Sequence, residues 1–227
     1  MSTSLPFFLE SCCQSADDAR IAVTHGASRI ELCENLAADG VTPSKANIRA
    51  TLIAVPSTPV HILIRPREGS FVYNEDEVEQ MERSVDLCRK LRIALPDGGE
   101  RRVSGIVIGA LTADGDLEVY TIQRLLAVAR REDGSRLAVT FHRAFDYCRQ
   151  PLHVFRQLQE LGIERILTSG QATSAVEGAA LLAQLVAAGG DGPRILVGGH
   201  VRPENIALIQ TLTRASEYHS SFLGAWN

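Results

Sequence analysis

Glu10 and Cys12 stand two residues apart in Phe7-Phe8-Leu9-Glu10-Ser11-Cys12, and Glu31 and Cys33 repeat that spacing in Arg29-Ile30-Glu31-Leu32-Cys33. On a β-strand, residues i and i+2 share a face, so each stretch presents a carboxyl and a thiol together. Neighbouring parallel strands run about 4.8 Å apart, close enough for two inward thiols to meet. A thiolate pair suits Cu(I), whereas two sulfurs are too few for a closed structural zinc site. Free cysteine is also among the most commonly buried residues, so a metal site and a pair of packing thiols both stay open.

A second constellation is Thr140-Phe141-His142-Arg143-Ala144-Phe145-Asp146. It follows the apolar run Leu137–Val139 and precedes a helical pattern from Pro151, so His142, Arg143 and Asp146 fall at a strand-to-helix junction. Arg65 and Arg67 end another apolar run, Val60–Ile64. Glu10 and Glu31 inside a core need partners, and Arg65, Arg143 and His142 are the candidates. As an enzyme, the chain would clamp a small anionic compound with Arg65 and Arg143 and move protons with Glu10, Glu31 or His142, Asp146 standing beside them. Arg67, Thr168, Ser169, Gly198, Gly199, His219 and Ser220 complete the candidate ligand-binding set, the two glycines offering backbone N–H groups to a phosphate.

These residues need a scaffold that gathers strand ends. Short runs, most of them rich in Val, Ile and Leu, alternate with amphipathic helical patterns: strands near residues 7–12, 29–33, 60–64, 105–110, 137–143, 165–169, 194–199 and 217–221. Helices are expected from a Ser15 cap to Gly26, from a Thr42-Pro43 start towards Val55, and over Asn74–Leu91, Leu117–Arg130, Pro151–Leu161, Ser174–Ala188 and Pro203–Leu212. Eight strands and seven helices without a break predict one α/β domain over residues 1–227, a (β/α)8 TIM-type barrel lacking its last helix. The absence of Gly-x-Gly-x-x-Gly after the first strand disfavours an open dinucleotide-binding sheet. Pro96–Arg102 reads as a surface insertion.

The 227 residues are 45% hydrophobic and 22% charged, the balance of a soluble globular domain. A net charge of −4 gives no footprint for nucleic acid. No apolar run is long enough for a membrane helix, and Met1–Pro6 lacks the basic region of a secretion signal. Five cysteines, an odd number, form no disulfide framework or Cys-x-x-Cys pair, and reduced thiols in the cytoplasm are expected.

Taken together, Leu9-Glu10-x-Cys12, Arg29–Cys33, Ile64–Arg67, Phe71-x-Tyr73, Gly109-x-Leu111-Thr112, Thr140–Asp146, Arg165–Gly170 and Ala175-x-Glu177-Gly178 resemble the CutC family over nearly the whole chain. The resemblance implies a cytosolic barrel, often self-associating as a homo-oligomer and linked to copper handling, with Cys12 and Cys33 at the positions proposed for Cu(I). The chain departs from the family pattern at His200, where a third glycine is usual, and after Ser221.

Overall fold

The computed structural model describes residues 5–95 and 98–226. Met1–Ser4, part of the N-terminal stretch read for a signal, and Pro96-Asp97 of the expected insertion lie outside the described residues. Eight strands close into a parallel barrel: β1 (Phe8–Cys13), β2 (Arg29–Leu32), β3 (Val60–Leu63), β6 (Gly105–Ile108), β7 (Ala138–Phe141), β8 (Arg165–Thr168), β9 (Arg194–Val197) and β10 (Glu217–Ser220). The order around the barrel follows the chain, and β10 pairs with β1 to close it, Glu10 lying opposite His219. The intervening strands β4 (Arg92–Ala94) and β5 (Glu100–Arg102) form an antiparallel hairpin, giving the expected insertion its own pairing.

Among the described residues, seven α-helices follow the strands: α1 (Ala16–Thr24), α2 (Lys45–Ala54), α3 (Glu75–Lys90), α4 (Val119–Val128), α5 (Pro151–Glu160), α6 (Ala179–Gly189) and α7 (Ile206–Thr213). Helix α3 carries a capping box: Asn74 accepts from the Glu77 N–H, and the Glu77 carboxylate accepts from the Asn74 N–H. Its first turn is acidic and its last basic, matching the helix dipole. No helix among the described residues is long and apolar enough to cross a membrane.

The expected start of α2 is corrected. Its N-cap is Ser44, which accepts from the Asn47 N–H, and Thr42 and Pro43 lie outside the helix. The Thr42 hydroxyl instead exchanges two hydrogen bonds with the backbone of Arg65, at 2.8 and 3.0 Å, tying the loop after β2 to the end of β3. Helix α7 also begins later than Pro203, because Asn205 accepts from the Arg202 N–H and donates to the His200 carbonyl, holding a turn there.

Alternation along the strands builds two layers. Leu9, Ile30, Ile62, Ile106, Val139, Ile166, Ile195 and Tyr218 belong to the large apolar core between barrel and helices. Cys12, Cys33, Leu63 and Val107 form a separate small cluster. After β10 no helix follows among the described residues. An aromatic group stands in that place: Phe7 meets Tyr218 and Trp226 edge-on at 5.5 and 6.1 Å, and Phe222 meets Trp226 at 5.7 Å. Trp226 is thereby buried.

Candidate functional site

Three arginines and two carboxylates occupy the end of the barrel where the strands begin. Glu217 accepts from Arg165 at 2.8 Å and from Arg194 at 2.9 Å, and Arg29 reaches it at 3.5 Å. Arg29 also donates to Glu10 at 2.5 Å, and Glu10 lies 2.8 Å from Nδ1 of His219. Burial drives the Glu10 carboxyl upward, but Arg29 and then His219 outweigh it and hold Glu10 well below the usual carboxylate range. Burial works against the charged form of His219, yet Glu31 and Glu10 raise its pKa above that of a free imidazole.

The expectation that Arg65, Arg143 or His142 would compensate Glu10 is therefore replaced by Arg29 and His219. Register decides it: Arg29 on β2 and His219 on β10 are the cross-strand neighbours of Glu10. Arg29, Arg165, Glu217 and His61 were missed by the sequence reading. Two-residue alternation from Glu31, Leu167, His219 and Leu63 places them on the inward face, and that was the available signal.

One step along the barrel, Cys12 lies opposite Glu31. Its thiol is 3.7 Å from Glu31 Oε1 and 3.6 Å from the Cys33 sulfur. A ligating atom from each of Cys12, Glu31 and His219 falls within 4.8 Å of the others. The two thiols thus meet, as the strand spacing allowed, although Cys33 lies past the residue opposite Cys12, and the chain's far end adds an imidazole beside them. Contact with Cys33, burial and the charge of Glu31 all keep Cys12 protonated, its pKa well above that of a free thiol. Burial pushes Glu31 up to about 7 against the charge of His219, and its Oε2 has no hydrogen-bond partner.

The mouth of the barrel holds a cavity of about 160 Å³ lined by Glu31, Leu63, Arg65, Phe71, His142 and Arg143 among others. His142 accepts from the Ala144 N–H through Nδ1, so the neutral ring carries its proton on Nε2. Burial and then Arg65 pull its pKa down to about 3. The fourth strand of the barrel, β6, makes room for histidines: a Cβ on Gly109 would lie 2.4 Å from the His142 ring, and one on Gly105 would lie 2.6 Å from the His61 ring. Its apolar end, which contributes no functional group itself, is what admits His142.

The remaining candidates serve the loops. Arg67 donates to Glu77 at 2.5 Å and to the carbonyls of residues 68, 70 and 72, bracing the segment before α3. Asp146 accepts from the Thr168 hydroxyl, the Ser169 N–H and hydroxyl, and the Gln171 N–H, while Arg143 donates to it at 2.8 Å. Asp146, Thr168 and Ser169 are thus occupied with one another at the end of β8. Gly198 packs beneath Leu167, and Gly199 takes a φ of +91°, open to glycine, against Ser169. His200 adopts a left-handed φ of +56°. Ser220 donates to the Val201 carbonyl at 2.7 Å and accepts from Arg202.

The family model described as the CutC family matches residues 7–224. A CutC family protein of Parabacteroides distasonis is 40% identical over 213 residues, covering 94% of this chain and 82% of the relative. One from Histophilus somni is 38% identical over 213 residues, covering 94% and 81%. The crystal structure of the Streptococcus agalactiae CutC, whose name assigns it to copper homeostasis, superposes with a TM-score of 0.84 at 29% identity, over 96% of this chain and all of that one. A phosphonomutase fold from Burkholderia cenocepacia, at 16% identity and a TM-score of 0.62 over 95% of this chain and 86% of that one, shares the barrel architecture alone. The chain belongs to the CutC family.

Proposed function

We propose that this chain is a copper-handling protein that takes Cu(I) as its cargo through the thiolates of Cys12 and Cys33. The observation that carries the reading is the 3.6 Å contact between the two buried sulfurs, with His219 and Glu31 beside Cys12. Two soft sulfurs and an imidazole suit Cu(I), whereas a carboxylate alone would favour harder ions. The unpartnered Oε2 of Glu31 is a further free donor at the same place. Family membership supports the copper connection, and the Streptococcus relative carries it in its name. All five cysteines are free, which fits a reducing cytoplasm, and the family resemblance favours self-association.

Both thiols must lose a proton to bind, so uptake of Cu(I) releases protons and tightens as pH rises. Glu31, neutral through much of the acidic range, opposes thiolate formation less when protonated than when ionised. The test is X-ray absorption at the copper edge on anaerobically loaded protein. Sulfur neighbours that vanish in C12S/C33S support the site. A spectrum with nitrogen and oxygen neighbours alone contradicts it.

A further inference from the structure

Arg65 is buried at the barrel mouth, and no carboxylate among the described residues pairs with it. Its guanidinium donates to four backbone carbonyls, those of Ala38, Asp39, Gly40 and Gly69, and lies over the ring of Phe71 at 5.0 Å. These dipoles orient the cation but leave its charge uncompensated, and buried charge is ordinarily paired. The Nε of Arg65 makes no hydrogen bond of ordinary geometry, and the Tyr73 hydroxyl has Arg65 itself as its polar neighbour.

His142 lines the same cavity and repeats the pattern. It is buried, its Nδ1 is taken by the Ala144 N–H, and its Nε2 has no partner. Orphaned buried donors are rare enough in folded proteins to call for an explanation, and two of them on residues lining one cavity call for a shared one. Leu63, Phe71 and Leu167 supply apolar wall, and Arg143 stands half-exposed at the cavity's edge. About 160 Å³ holds roughly five water-sized groups. Glu31 and Asp39 also line the cavity, and their carboxyl groups select against a ligand with several negative charges.

We infer that this cavity binds a small organic monoanion, a short-chain carboxylate, whose oxygens pair with Arg65 and His142 and whose carbon chain lies against Leu63, Phe71 and Leu167. Glu31 borders both this cavity and the thiol pair, but Arg65 and His142 belong to the cavity alone, and the inference does not depend on copper binding.

Propionate is the probe, with inorganic phosphate and chloride as comparisons at constant ionic strength. Binding is read by saturation-transfer NMR and by the His142 ring signals of protein labelled in histidine. The expected result is a saturable shift of the His142 signals by propionate, with phosphate clearly weaker and chloride without effect. H142F weakens propionate by about tenfold or more, the loss of one hydrogen bond to a charged group. Leu36 lies partly exposed on the cavity lining, packed beside the cluster of Cys12, Cys33, Leu63 and Val107, so L36W, its fold checked by unfolding, fills the cavity and abolishes the shift. C12S/C33S keeps it. No saturable response to propionate, an equal response to chloride, a response unchanged in L36W, or its loss in C12S/C33S would each overturn the assignment.

Discussion

Glu10 on the first strand and His219 on the last are joined at 2.8 Å, a side-chain bond across the seam where β10 pairs with β1 and closes the barrel. With Arg29 on the other carboxylate oxygen, Glu10 sits between a guanidinium and an imidazole whose pKa it helps to raise, in a fully buried position. Its charge is needed by both.

E10Q removes that charge and leaves the Arg29 guanidinium with the distant Glu217 contact. Breaking a buried pair from one side costs about 3–5 kcal/mol, to be read by denaturant unfolding at neutral pH. Arg194 is the internal comparison: its side chain is 69% exposed, and R194A costs within about 1 kcal/mol despite the same type of pair.

G109A sets a methyl group against the His142 ring, 2.4 Å from its Cε1, and also 3.1 Å from the Ala144 side chain. Overpacking of this kind costs about 1–3 kcal/mol, and the ring signals of His142 move with it. An unchanged unfolding midpoint would show that β6 does not shape the cavity.

His61 and His142 predict an acid slope. Burial, followed by Arg29 for His61 and Arg65 for His142, lowers both to about 3. A histidine with a depressed pKa contributes stability above its unfolded value near 6.5 and loses it as pH falls towards the folded value. Each contributes up to about 1.4 kcal/mol of loss per pH unit in that window. H61N and H142N should each flatten the fall in stability between about pH 6 and pH 4.

Glu31 gives the opposite sign. Raised to about 7 chiefly by burial, it stabilises the fold below its unfolded value near 4.5, and that contribution disappears as pH rises through about 7. E31Q, which stays neutral, should be less sensitive to pH than the parent chain between those values. Parallel curves for the two proteins would mean that Glu31 is ionised throughout.

The barrel was legible because most of its strands are short runs rich in Val, Ile and Leu, as strands buried on both faces are, and because they alternate with helical patterns. The thiol pair was legible for the same reason, since alternation fixes the common face of Cys12 and Cys33. The partners of Glu10 were not. They depend on barrel closure, which brings His219 from the far end of the chain to Glu10, and on reading Arg29 as inward at a strand's beginning. Thr42-Pro43-Ser44 offered two capping residues in succession, and the tie from Thr42 to the Arg65 backbone chose between them. Arg65 itself read as an anion clamp from its type, while the carbonyls that cage it belong to loop backbone, which side-chain pattern does not encode.

Cu(I) affinity measured anaerobically by competition with a chromogenic chelator, for the parent chain and for C12S/C33S, bears most directly on the thiol pair. One equivalent bound tightly by the parent and lost in the double variant is the predicted result. Equal binding by both proteins, or none by either, would contradict it.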